Sequence, residues 1–316
     1  MTELTGARPQ NLLRGVAMIL AAAFLISVQD VVFKLFSSQL TLWQIFALRG
    51  LLAVPLLLTI GRFRRRQGSV LRLALSKWAM LRALLITTTF LAFYAALPFL
   101  SLSTVGAANY IAPVFVTLLS AYAIAEPPGV RGWVGVIIGF AGVIVLLQPG
   151  TDAFSIWAIL PICGAAFYAL AHITTRTRCQ GIPLSALALS QNLVMLAAGL
   201  AVSAGLLWLQ PQDGFFDSYP YIFGLWAPVS AADWMVLILL AAFAVAIGMM
   251  LAGAYRTAPP SVISTFEYSY LAFAAAWDIH LFGTALSFPQ IAGMMLIAAA
   301  GLLVLKPGRS KETAAP

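Results

Sequence analysis

The chain has 316 residues, of which 62% are hydrophobic and only 9% charged, with a mean hydropathy of +0.96. A soluble domain carries roughly 25% charged residues, so this composition excludes a protein that faces water on all sides. The formal charge of +8 lies in clusters between apolar segments, the pattern that orients membrane helices rather than the footprint of a nucleic-acid partner.

In lipid the backbone must satisfy itself, so a spanning segment is a helix or part of a closed barrel. Long apolar runs, in place of short alternating ones, favour helices. In chain order, ten segments approach the ~20 residues that span a bilayer: 13–35, 41–60, 78–98, 104–125, 132–148, 156–176, 184–208, 232–255, 259–281 and 286–305. The expected fold class is all-α integral membrane. Arg8 and Arg14 precede the first segment, and Ala21-Ala22-Ala23 within it has the look of a leader cleavage site. The apolar run continues past Val28, so a retained first helix is expected. The fifth segment is the shortest; its Gly135, Gly139 and Gly142 form a small-residue stripe that admits a close helix neighbour. The connection at about 209–231 holds Phe215, Phe216, Tyr219, Tyr221 and Trp226, an expected interfacial aromatic belt.

Orientation follows from the basic residues. Arg62, Arg64, Arg65, Arg66, Arg72, Lys77, Arg131, Arg176, Arg178, Arg256, Lys306, Arg309 and Lys311 all fall on one side, with Arg82 just inside the third segment. Asp152, Asp213 and Asp217 fall on the other, whose connections carry no Lys or Arg. The positive-inside rule then puts both termini in the cytoplasm, with 1–12 and 306–316 as cytoplasmic ends. The two cysteines, Cys163 and Cys179, have no metal-ligand spacing and make no disulfide framework. No metal and no cofactor is expected.

The second half repeats the first. A shift of 142 places Lys34 on Arg176, Asp30 on His172 and Arg49 on Gln191; a shift of 158 places Asn109 on Glu267, Tyr110 on Tyr268 and Gly135 on Gly293. Because each half, 13–148 and 156–305, holds an odd number of segments, the two copies insert with opposite topology. Inverted repeats of this kind are frequent in secondary transporters, whose site lies near midplane between the halves. The stretch from Tyr110-Ile111-Ala112-Pro113 through Glu126 to Gly135, Gly139 and Gly142 resembles the end of an EamA domain of the drug/metabolite transporter superfamily. Thr265-Phe266-Glu267-Tyr268, Leu281-Phe282-Gly283 and Gly293 resemble the same domain in the second half. Thr284 and Leu271 stand where Glu126 and Pro113 would map, so the second copy departs from the first. The resemblance implies a central cavity lined by segments one to four and six to nine, with five and ten at the periphery. It allows export of amino acids or other metabolites and uptake of vitamins or nucleoside-like compounds.

Ionisable groups at membrane depth are costly and require a partner or a cavity. Counting back from the hairpin near 37–40 at ~1.5 Å per residue places Asp30 and Arg49 at similar depth, where an ion pair is reachable, either structural or substrate-contacting. Lys34, one turn beyond Asp30, is expected to snorkel to the headgroups. Glu267, among Phe266, Tyr268 and Tyr270 with no basic residue nearby in sequence, suits proton exchange or a cationic amine. His172 is expected at the interface near the end of its helix, and Asp278 and His280 near the opposite surface. Glu126, before Pro127-Pro128-Gly129, is expected to tie helix ends through a neighbour such as Arg131. Trp43, Tyr94, Asn109, Tyr110, Tyr168, Gln191, Tyr268 and Tyr270 complete the candidate cavity residues, since aromatic and amide groups suit flat organic molecules.

No metalloprotease, nucleophile-elbow or P-loop motif is present. The function expected is secondary transport of a small organic metabolite by alternating access, coupled to protons or exchange, with export favoured. The partners are a small-molecule substrate and membrane lipid, no nucleic acid, as a monomer or homodimer. An importer of a flavin-like or S-adenosylmethionine-like compound is the first alternative, and an integral-membrane enzyme on lipid-linked substrates the second.

Overall fold

The computed structural model describes residues 11–36, 40–63, 69–96, 99–100, 105, 108–148, 155–209, 219–282 and 287–305, with side chains at all of these except 33–36, 62–63, 278, 282 and 304–305. Every regular element among them is helical. The order is α1 (Leu12–Phe36), α2 (Leu42–Phe63), α3 (Val70–Ala74), α4 (Lys77–Ala96), α5 (Ala112–Ala123), α6 (Val130–Leu147), α7 (Ile159–Arg178), α8 (Leu184–Leu209), α9 (Pro220–Phe223), α10 (Ala231–Thr257), α11 (Pro260–Glu267), α12 (Ser269–Phe282) and α13 (Phe288–Leu305). One 3-10 turn, Ile156–Ala158, leads into α7.

Local chemistry sets the helix ends. Ser230 opens α10 with a capping box: its Oγ accepts from Asp233 N at 3.2 Å, and Asp233 Oδ2 accepts from Ser230 N at 2.8 Å. These bonds occupy donors that the first helical turn leaves free. The end of α5 is closed by Glu126 N donating to Ser120 O at 2.9 Å, with Ala125 at φ 52°. Alanine there takes the left-handed conformation that glycine usually adopts after a helix end.

Among the described residues, seven helices, α1, α2, α4, α6, α7 (with its leading turn), α8 and α10, are long and apolar enough to cross a membrane. Shorter apolar helices are α5 and α13. Two of the expected segments are not single helices. The fourth, 104–125, is interrupted at Tyr110–Ile111 before α5 begins, and the ninth, 259–281, breaks at Tyr268 between α11 and α12. Pro113 in the first turn of α5 explains the first break, since its ring clashes with the preceding turn. The second has no such residue, because Leu271 occupies the matching position.

The helices pair across the two halves of the chain. The most extensive packings are α6 on α13, α2 on α8, α4 on α7 and α1 on α10, followed by α4 on α8, α5 on α7, and α12 and α10 on α1 and α2 respectively. Exposed apolar side chains such as Ile137, Ile238, Met295 and Leu302 cover the outside, as lipid requires. The α6–α13 pair sits at one flank, and its crossing is set by glycine. A Cβ on Gly142 would lie 2.8 Å from Gly293 O, and one on Gly293 would lie 2.6 Å from Gly142 O. Both obstacles are backbone, so neither can turn aside. Gly293→Val is expected to cost at least about 1–3 kcal/mol through overpacking, read as a lowered thermal midpoint in detergent, whereas Gly129→Ala, where nothing lies within 4 Å, serves as the neutral control.

Candidate functional site

Three groups of polar side chains lie inside the bundle. The first lines a cavity of about 110 Å³ between α1, α2, α4 and α10, bounded by Gln29, Asp30, Phe46, Arg49, Tyr94 and Tyr221 among others. It lies near the start of α2, since Leu42 and Ile45 also line it. The segment that closes over it is pinned to α2. Trp43 Nε1 donates to Ile222 O at 2.7 Å, Gln44 Nε2 to Ala227 O at 2.7 Å, and Ala227 N donates back to Gln44 Oε1 at 3.0 Å. Trp43 thus serves to anchor this segment and is not among the residues lining the cavity. Of the aromatic belt expected at 209–231, residues 210–218 lie outside the described residues.

Asp30 and Arg49 share this cavity, but the expected ion pair is not formed. Asp30 Oδ2 accepts from Tyr270 Oη at 2.6 Å. Arg49 Nη2 points to Met195 Sδ at 3.5 Å, and its guanidinium stands 5.6 Å over the Phe46 ring. The side chains of Lys34 and Asp278 lie outside the described residues; His280 is exposed.

The second group centres on Glu267, the last residue of α11. Its Oε1 accepts from Tyr168 Oη of α7 at 2.7 Å and from Tyr255 Oη of α10 at 2.9 Å. One carboxyl group therefore joins three helices at the point where the ninth segment breaks. His172 is completely buried between the same two tyrosines, its ring 4.2 Å from Tyr168 and 4.0 Å from Tyr255. Neither of its ring nitrogens has a hydrogen-bond partner. This corrects the expectation of an interfacial histidine: its distance from the helix end is as counted, but Tyr255 of α10 packs over it and removes it from the surface.

A third group links the first two. Tyr110 stacks on Tyr270 at 6.2 Å and 26°, and Tyr268 Oη donates to Tyr110 O at 3.3 Å. Tyr268 is fully buried in a cluster with Val143, Leu271 and Ile297 and lies against Gly139, so it supports the break from behind. Asn109 is half-buried on the other side of the first break. Tyr94 lines the cavity, and Gln191 Nε2 donates to Thr87 Oγ1 at 3.4 Å while its Oε1 is unpartnered.

Two residues of this interior escape a reading by sequence. Tyr255 is an ordinary apolar-helix tyrosine until the fold brings it to Glu267. Arg82 counts with the basic residues of its connection, yet its side chain turns inward and is 2% exposed. Its Nε donates to Thr175 Oγ1 at 2.8 Å. Its position just over one helical turn inside an apolar segment was the available signal.

At the basic end, Glu126 pairs with Arg176 rather than a neighbour in its own loop. Nη2 lies 3.1 Å from Oε1, and Nε and Nη2 donate to the two carboxylate oxygens at 3.2 Å each. Arg176 Nη1 also donates to Arg256 O at 3.1 Å, so the ends of α5, α7 and α10 are tied together.

The interior is an apolar helical bundle with isolated charges around a small cavity. Residues 13–148 match the EamA-like transporter family. That stretch is similar to an EamA-like transporter domain. Two relatives, each described as an uncharacterized transporter, come from Helicobacter pylori strains J99 and 26695. The first is 25% identical over 310 residues and the second 25% over 311, each covering 96% of this chain and 98% of the relative. A riboflavin transporter of Vibrio cholerae is 38% identical over 56 residues, 18% of either chain. One crystal structure aligns with a TM-score of 0.75 at 16% identity, covering 93% of this chain and 98% of the other; at that identity the likeness is one of fold. The likeness to the Helicobacter pylori relatives and to the crystal structure extends over nearly the whole chain, beyond the stretch that carries the family match, whereas that to the riboflavin transporter is local.

Proposed function

We propose that this protein is an EamA-type secondary carrier that moves a small organic metabolite by alternating access. Its two inverted five-helix halves, 13–148 and 156–305, would rock about the polar interior, with ten membrane passages and both termini in the cytoplasm of a bacterial-type inner membrane. The observation that carries this reading is the matched break. Helices four and nine are interrupted at Tyr110 and Tyr268, which the internal repeat superposes, and Glu267 sits at the second break. Discontinuous helices meeting near midplane are where secondary transporters hold cargo and coupling ions. Packing between the halves supports the same reading, since exchanging the halves turns α4 on α7 into α10 on α1, and α4 on α8 into α10 on α2.

Glu267 is the proton-coupling group in this reading, and Asp30, Arg49 and Tyr94 face the cargo. Energy comes from a proton gradient or exchange, and export is the favoured direction. The local match to a riboflavin transporter favours one second reading, uptake of a flavin-like compound. The test for both is flux in proteoliposomes of a labelled metabolite panel that includes riboflavin, with and without a pH gradient. Accumulation or efflux that follows the gradient is expected. Equal equilibration with and without it, or no flux of any compound, overturns the coupled-carrier reading.

A further inference from the structure

Two interior guanidiniums of the bundle, Arg82 buried and Arg49 half-buried, have no carboxylate partner among the described residues, where the ion pair formed is that of Arg176 with Glu126. Arg49 meets a thioether sulfur and a ring face. Arg82 meets one hydroxyl and, at 3.5 Å, the carbonyl of Leu187. A guanidinium has five N–H donors, and withdrawing it from water with most of them unmatched is costly.

Their placement is ordered along one helix. Arg82 reaches α8 at Leu187, Arg49 reaches it at Met195, and Gln191 lies between. Residues spaced by four share a helix face, and eight residues of helix span about 12 Å. The two guanidiniums therefore stand at either end of a single strip of α8, one lining the cavity and the other toward the basic end. Of the five unpartnered buried side-chain polar atoms among the described residues, three belong to Gln191 and His172, while Thr41 Oγ1 and Thr117 Oγ1 lie elsewhere. Gln191 Oε1 is on the strip itself, and both nitrogens of His172 lie one turn before Thr175, the residue that Arg82 grips. Amide oxygen and nitrogen are interchangeable by rotation; with Gln191 turned, Thr87 donates to Oε1 and the NH₂ group faces the strip.

We propose that this face of α8 is a track for an oxyanion. Arg49 holds the carboxylate or phosphate group of the cargo at the cavity. Arg82, with Gln191 and His172, receives it when the basic end opens. This rests on the carrier reading and adds a cargo class to it: a small organic carboxylate or phosphate monoester. Planar guanidinium donors fit both groups through paired hydrogen bonds. Glu267 is already held by two tyrosine hydroxyls, and Asp30, which lines the same cavity as Arg49, is held by that of Tyr270.

The test is thermal unfolding of the full chain in lipid nanodiscs with benzoate, succinate or glycerol 3-phosphate. Benzyl alcohol, ethanolamine and glycerol are the matched controls, all at equal ionic strength. At least one oxyanion is expected to raise the midpoint by several degrees where its neutral counterpart does not. Benzoate and succinate against glycerol 3-phosphate separate carboxylate from phosphate cargo. Arg82→Gln and Arg49→Gln are expected to abolish the shift, and Arg82→Lys to retain part of it. Should Arg82→Gln not fold, Gln191→Leu takes its place and is expected to raise the half-effective concentration at least threefold. No response to any oxyanion, a response to ethanolamine or a neutral compound alone, or an oxyanion shift unchanged in the Gln191→Leu and Arg49→Gln variants overturns the proposal. These outcomes concern binding only. A transporter that binds oxyanions through Arg82 but moves nothing in liposomes would sink the carrier reading and leave the track standing.

Discussion

Glu267→Gln is expected to lower gradient-driven flux at least tenfold and to flatten its dependence on pH, while leaving the protein folded. The substitution preserves size, and an amide oxygen still accepts from Tyr168 and Tyr255, which hold the native Oε1 at 2.7 and 2.9 Å. What is lost is the ability to take up and release a proton. A carboxyl group in a dry interior carries a charge only at a cost, so its protonation is linked to any movement that changes its access to water. The amide severs that link. A tenfold loss corresponds to about 1.4 kcal/mol, no more than the difference between a charged and a neutral hydrogen-bonded group. Tyr255→Phe removes one of the two donors without removing the proton, and is expected to displace the pH midpoint of flux while retaining coupling. Unchanged flux and an unchanged pH profile for Glu267→Gln would remove Glu267 from the coupling role. Loss of folding in that variant, seen by size-exclusion chromatography, would make its tie to α7 and α10 structural.

The scaffold was largely legible because lipid leaves few choices. An apolar run of spanning length has to be helix, and the expected segments 13–35, 184–208 and 286–305 correspond to Leu12–Phe36, Leu184–Leu209 and Phe288–Leu305. The glycine stripe was legible for the same reason, since small residues in an apolar helix have little purpose other than close approach; Gly142 meets Gly293 backbone to backbone. What sequence could not supply is partnership across long separations. Glu267 stands out as a lone carboxyl group, yet nothing near it in sequence points to Tyr168, 99 residues away. His172 was assigned to the interface by counting, and Tyr255 reverses that from another helix. Asp30 and Arg49 lie at matching depth, but Tyr270 competes for the carboxylate from 240 residues away. The break at Tyr268 is the harder case: the one at Tyr110 has Pro113 to announce it, whereas Leu271 stands at the matching place after Tyr268.

Breaking the tie between Glu126 and Arg176 is expected to open the basic end more than it destabilises the fold. The arginine side chain is 11% exposed and the glutamate 35%, so after screening by solvent the pair contributes about 1 kcal/mol. That is small against unfolding, but it acts on the difference between two arrangements of the same helices. A ligand or contact shifts such an equilibrium by its differential free energy, and about 1 kcal/mol alters the ratio roughly fivefold. Cys179 is a native reporter. It follows α7 at that end, is fully buried, and its Sγ faces Trp78 O at 3.8 Å. Burial pushes its thiol up more than the charges of Arg82 and Arg256 pull it down, so at neutral pH it is mostly the unreactive thiol. In a Cys163→Ser background, a membrane-impermeant maleimide should label Cys179 slowly. Glu126→Ala and Arg176→Gln should each label several times faster, and Glu126→Arg with Arg176→Glu should return toward the slow rate. Equal rates in all four proteins would mean that the pair holds the basic end no more tightly than its packing does. Fast labelling of the charge-swapped double variant would mean that Arg176 acts through Arg256 O, 3.1 Å from its Nη1, and not through Glu126.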